Sequence, residues 1–312
     1  MPSYDKNATL FLGLSQIKGV GFKTLRELGG VPEAAYKIAS GELDPLLHDS
    51  LKSHSRTNLE EKLMDLGEKL ISHLRASDVH LICHGDPLYP ARFLDLPHET
   101  RPLWVFCRGN IDLLSADSVA VVGTRSPTVV GDFLTKFAVS VSAQDGLPVV
   151  SGLAKGIDSV AHEWALVLRV PTISVLGTGI LRPYPSSNIR LADDIVESGG
   201  LLLSEYMPYS EPTGQNFVMR NRLQAALSRC VIAPEWRRSS GTAHTIRFAK
   251  ALGRPSLNLM VEGVPNHPDH GVADASFVVP RQHQEFLESV RQAVSISVVS
   301  KAQQTDLFGG GS

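Results

Sequence analysis

The chain has 312 residues, of which 43% are hydrophobic and 20% charged, a globular composition that excludes a disordered or collagen-like chain. A formal net charge of −2 excludes a uniformly polycationic surface, so any nucleic-acid contact must come from a local patch. Cys83, Cys107 and Cys230 form no CxxC pair, the apolar runs are short, and MPSYDKNATL lacks a signal-peptide pattern, so a cytoplasmic chain with no disulfide framework, zinc ribbon or membrane association is expected.

The first 78 residues read as a helical domain. Leu10, Leu14 and Ile17 recur at helical spacing, Lys18-Gly19-Val20-Gly21 makes a turn, and Phe22, Leu25 and Leu28 begin a second helix. This helix-hairpin-helix-like unit either presents backbone N–H groups to a phosphate or is a structural turn. Residues 59–76 form an amphipathic helix. Residues 79–115 read as a connector, with strands at 79–82 and 103–106 around the turn at 84–87 and Tyr89-Pro90. From 118 the pattern repeats: an apolar strand, a glycine turn, a helix. Strands are predicted at 118–122, 149–150, 172–176, 201–203 and 230–233. That alternation predicts an α/β fold, an extended Rossmann-like doubly wound parallel sheet over 116–300. Ligands of such sheets bind at the carboxyl ends of the strands, where these glycine turns fall. Residues 281–300 suggest a helix and a short strand, and 301–312 a flexible tail.

Two stretches carry chemistry. Ser151-Gly152-Leu153-Ala154-Lys155-Gly156-Ile157-Asp158 follows a strand and opens a helix, so its glycines let an anion approach the backbone and Lys155 adds a point charge. It is neither G-x-G-x-x-G nor a Walker A loop. Asp158 at the helix start suits the positive end of the dipole, and His162 reads as structural. Asn216-Phe217-Val218-Met219-Arg220-Asn221-Arg222 sets two arginine forks beside an aromatic ring, a pattern suited to phosphates and bases. Residues 216–256 hold eight basic side chains and a single carboxylate, Glu235, so charge is segregated there. Trp236 extends a stacking platform or packs at an interface. His267, Asp269 and His270 read as a solvated loop.

In order along the chain, these motifs resemble the DNA-processing family called DprA or Smf. They are Gly123-Thr124-Arg125, Ser151 to Asp158 with Ala161-His162, Val175 to Gly179 with Tyr184-Pro185 and Asn188, Leu202 to Glu205, and Asn216 to Arg222. The resemblance runs from about 80 to 255. It implies a protein that binds and protects single-stranded DNA, loads the RecA recombinase, forms homodimers and needs no cofactor or catalytic residue. By position, Arg125 and Lys155 contact phosphates. Gly152, Ala154 and Gly156 line the pocket with backbone, and Phe217, Arg220 and Arg222 hold the strand. The candidate site also includes Gly123, Thr124, Ser151, Gly177, Gly179, Asn216 and Asn221. Val218 replaces the family's usual proline, and no closing strand is recognisable beyond 256.

Relatives of this fold also occur in toxin–antitoxin and phage-defence loci, so a nucleotide-sensing or regulatory module with a cognate toxin is the alternative. Nucleotide-cleaving relatives carry a glutamate where Thr245 stands, which leaves an oxocarbenium-like centre without its carboxylate. In the tail, Gln304-Thr305-Asp306-Leu307-Phe308 resembles a sliding-clamp peptide. A flexible lead-in would free Leu307 and Phe308 to fill a partner's pocket while Gln304 bonds at its rim.

Overall fold

The computed structural model describes residues 4–40, 42, 56–264 and 272–308. The histidine loop around His267, Asp269 and His270 lies outside the described residues. The N-terminal part is helical as expected: α1 (Lys6–Leu14), α2 (Phe22–Glu27), α3 (Val31–Ser40) and α4 (Arg56–Ala76). Asp5 caps α1 by accepting from the Ala8 N–H at 2.7 Å. The Gly19–Gly21 hairpin forms, but its apolar side is packed inward. Phe22 lies 5.5 Å from Trp104 and 5.1 Å from Tyr206, ring centroid to centroid, and Phe11 lies 5.0 Å from Trp104.

The strands are β1 (Val79–Cys83), β2 (Trp104–Gly109), β3 (Val119–Val121), β4 (Val149–Ser151), β5 (Thr172–Val175), β6 (Leu201–Ser204), β7 (Val231–Ala233), β8 (Ser256–Val261) and β9 (Ala275–Val279). They form one sheet in the order β1-β2-β6-β5-β4-β3-β7-β8-β9. Strands β3 to β9 pair in parallel, and the β1–β2 hairpin joins β6 antiparallel, with Phe106 opposite Ser204. Strands β3 to β7 are buried on both faces, which is why they read as mostly apolar runs. The helices between and after them are α5 (Val129–Gln144), α6 (Ile157–Val167), α7 (Ile189–Glu197), α8 (Gly214–Leu227), α9 (Thr242–Ala251) and α10 (His283–Phe308). Among the described residues no helix is long and apolar enough to cross a membrane.

Four expectations are corrected here. The strands of the 79–115 segment are not a separate connector but extend the main sheet. The sheet closes beyond 256 after all, through β8 and β9, with Leu257 and Leu259 of β8 buried. Residues 283–308 are helical throughout, with no strand in 281–300. The same helix runs through Phe308, where a flexible tail was expected.

Candidate nucleic-acid interface

The sheet order reverses direction of winding between β3 and β7, and a cleft of about 680 Å³ opens there at the carboxyl ends of the strands. Each wall comes from a turn the sequence marks. Gly123, Thr124 and Arg125 follow β3, Ala154 and Asp158 follow β4, Tyr184 follows β5, and Ser240 to Thr242 with Thr245 follow β7. The remaining wall is α8, from Thr213 and Gly214 through Phe217, Arg220 and Asn221 to Gln224. Neither α8 nor α9 has an acidic residue in its first turn, so their dipoles leave a positive field at the cleft.

At the mouth, the Arg125 guanidinium lies 5.6 Å from the centre of the Phe217 ring, and the Tyr184 ring lies 5.6 Å from Phe217 at 37°. Arg125 and Tyr184 are exposed, and Phe217 is half-buried. The Phe217 ring rests on Gly177, where an added Cβ would stand 2.5 Å from it.

Deeper in the wall Arg220 is buried. Its Nη1 donates to the Gly152 carbonyl at 2.8 Å and to the Val175 carbonyl, and its Nε donates to Asn221 Oδ1 at 2.9 Å. Its Nη2 lies 3.8 Å from Asp158. A Cβ at Gly152 would fall 1.9 Å from the guanidinium, so this loop glycine makes room for a side chain. Burial raises the pKa of Asp158 and lowers that of Arg220. Leu153 is held at φ +59. Its carbonyl accepts from Asn188 Nδ2 at 2.8 Å and its N–H points to His162 Nε2 at 3.4 Å. His162 is fully buried with Nδ1 2.7 Å from Thr172 Oγ1, the structural role expected for it.

Of the expected site residues, the fold brings Gly123, Thr124, Arg125, Ala154, Phe217, Arg220 and Asn221 to the cleft surface. Ser151, Gly152, Gly177 and Gly179 are buried behind it, where Ser151 Oγ donates to the Val121 carbonyl at 2.7 Å. Lys155 is exposed on the loop before α6, Gly156 turns that loop at φ +80, and the backbone carbonyl of half-buried Asn216 accepts from the Tyr206 hydroxyl at 3.1 Å. Arg222 points the other way. Its two terminal nitrogens each donate to a Glu205 oxygen at 2.6 Å, and its Nε donates to the Thr100 carbonyl. Both partners are 2% exposed, so Arg222 is a buried counter-ion and not a grip on a strand.

The expected basic patch is corrected in the same way. Arg220, Arg222, Arg229 and Arg254 reach Asp158, Glu205, Asp117 and Asp95, all outside 216–256. Half of the segment's cations are therefore paired with acids from elsewhere in the chain. Arg237, Arg238, Arg247 and Lys250 are exposed. Trp236 is neither platform nor interface, because it is buried and donates to Asn258 Oδ1 at 2.9 Å.

Sequence reasoning missed Tyr184, Gln224 and Thr242 as cleft residues. Gln224 follows Phe217 and Arg220 by seven and four positions, a helical spacing that could have found it. It also missed Glu235, whose carboxylate accepts from the Thr128 N–H at 2.9 Å and hydroxyl at 3.1 Å and so ties the end of β7 to the start of α5.

The profile of the family described as DNA recombination-mediator protein A matches residues 80–298. Protein Smf from a Synechocystis species is 33% identical over 96% of this chain and 76% of its own. DNA processing protein DprA of Streptococcus pneumoniae is 41% identical over 49% of this chain and 54% of its own, so that alignment spans about half of the relative. In three dimensions the S. pneumoniae protein superimposes with a TM-score of 0.59 and 30% identity, over 88% of this chain and 91% of that one. The Helicobacter pylori DNA processing protein A, solved for its single-stranded DNA binding mode, gives 0.56 and 29% identity over 66% and 94%.

Proposed function

Because this chain belongs to the DNA recombination-mediator protein A family, we propose that it binds single-stranded DNA in the cleft at the carboxyl ends of β3, β4, β5 and β7. The observation that carries this reading is the stack at the mouth, Arg125 over Phe217 with Tyr184 beside it. A π-face next to an exposed guanidinium takes any base while its phosphate is neutralised, which is what a strand-binding protein needs. The positive field at the amino ends of α8 and α9 supports the same reading.

Thr245, where nucleotide-cleaving relatives carry a glutamate, lies on the cleft wall, and this supports binding over cleavage. Hand-over of the strand to a recombinase of the RecA type is the partner reading that the family's description supports. A homodimer rests on the family resemblance alone. Clamp docking through Gln304, Leu307 and Phe308 rests on the short peptide match alone, in a segment whose backbone is helical through Phe308.

The test is fluorescence anisotropy with a labelled oligothymidylate. Arg125→Ala should weaken binding by about 1–3 kcal/mol and make the salt dependence shallower. Phe217→Ala should cost about 1–3 kcal/mol with the salt dependence unchanged. Parental affinity in a variant carrying both changes would remove the cleft from consideration.

A further inference from the structure

The floor of the cleft holds an anomaly. Gln224 is 1% exposed, lines the cleft, and its side-chain amide nitrogen has no hydrogen-bond partner. A buried donor left unmatched is costly and calls for an explanation. The neighbours on α8 are already engaged: Asn221 accepts from Arg220 and donates to the Gly241 carbonyl, and Arg220 is bonded to two strand-end carbonyls. Among the described residues of this stripe, the Gln224 amide nitrogen is the buried donor atom left unanswered.

Its position along the helix supplies the context. Phe217, at the lip, and Gln224, at the floor, are two turns apart on one face, about 10 Å. Charge falls off along that path. Exposed Arg125 stands at the mouth, the Arg220–Asp158 pair lies halfway with each charge answering the other, and the floor is neutral, made by Val122, Gln224 and Thr245. A phosphate would find its partners at the mouth and none at the floor. A flat, neutral, hydrogen-bonding group fits the floor, and a nucleotide carries such a group at one end and its anion at the other.

We propose that this floor is a nucleobase seat, in which the Gln224 amide N–H donates to a ring acceptor of a base turned into the cleft. The proposal rests on the nucleotide-binding reading of the cleft. A base in a single strand is the easiest to turn in, having no complementary partner to give up. The same chemistry admits a free nucleotide, and the experiment separates the two.

Binding is measured with the full chain, using an oligothymidylate and the same oligonucleotide carrying difluorotoluene, a thymine-shaped ring without carbonyl acceptors. The parent should prefer thymine by about tenfold. Gln224→Met, close in length and apolar, should lower thymine binding by that factor and erase the preference. Its melting temperature should match or exceed the parent's, because it removes an unmatched buried donor. A variant that melts lower would mean that Gln224 holds the fold, and would overturn the proposal. Equal binding of both oligonucleotides by the parent, which needs no variant, would also overturn it while leaving strand binding intact. Thymidine monophosphate is titrated in parallel. If it binds in a Gln224-dependent way and no oligonucleotide binds, the seat stands and strand binding falls. If neither probe binds, both fall.

Discussion

A guanidinium fork fits a carboxylate and a phosphate with the same geometry, so an arginine in a sequence does not declare its partner. Arg125, Arg220 and Arg222 all fall in motifs suited to a phosphate ligand, and the fold separates them. Arg125 is at the mouth of the cleft, Arg220 braces the ends of β4 and β5, and Arg222 is sealed against Glu205. The deciding fact is which acid the tertiary fold brings near. Glu205 lies seventeen residues upstream of Arg222, and β6 delivers it. Arg222→Ala should therefore destabilise the protein by about 3–5 kcal/mol in urea titration, because it strands a buried carboxylate. Replacing Arg222 and Glu205 together by methionine should recover most of that loss. A stable Arg222→Ala protein that had merely lost affinity for DNA would return the residue to the binding site. Gly123, Thr124, Arg125 and Phe217 were legible because turn position and chemistry point the same way.

Strands β3 to β7 were legible as elements because a strand buried on both faces is a mostly apolar run of small and branched residues ended by glycine, serine or proline. Strand β8 was not, and Asn258 shows why. It sits mid-strand and fully buried, where it breaks the apolar pattern, and only the folded chain supplies Trp236 and Ser276 to satisfy it. The loop between β4 and α6 was legible as a glycine turn, but not the polar residues that hold it. Leu153 keeps its left-handed conformation under the grip of Asn188 and His162, which fixes the cleft backbone. Burial first, and the charge of Arg220 second, push His162 down to about 3 from 6.5. The folded state thus stays unprotonated at pH values where the unfolded chain takes up a proton. Stability contributed this way is present above pH 6.5 and is lost as pH falls toward 3. From pH 7 to pH 5 the unfolding free energy should drop by about 2 kcal/mol. In His162→Gln that drop should largely vanish; an unchanged drop in chemical denaturation at the two pH values would assign it to other groups.

At the scale of the whole molecule, charge is spent inward. Eight basic residues between 216 and 256 suggest a long phosphate-tracking surface, but four of them close ion pairs with acids from elsewhere in the chain. The exposed Arg237, Arg238, Arg247 and Lys250 do not line the cleft, which exposed Arg125 lines and beside which Lys155 stands exposed on its loop. Two phosphates neutralised on a single strand give a slope of log K against log salt near −1.4, where eight would give about −6. Titrations at several salt concentrations should find the shallow value; a slope near −6 would restore the basic patch. The sheet order has a consequence during synthesis as well. Strand β3 sits mid-sheet, and its partner on one side, β7, follows more than a hundred residues later. At ribosomal speed, that edge of β3 stays open for roughly 5 to 20 seconds. For that interval the nascent chain displays an unpaired apolar strand edge, a template for the wrong neighbour.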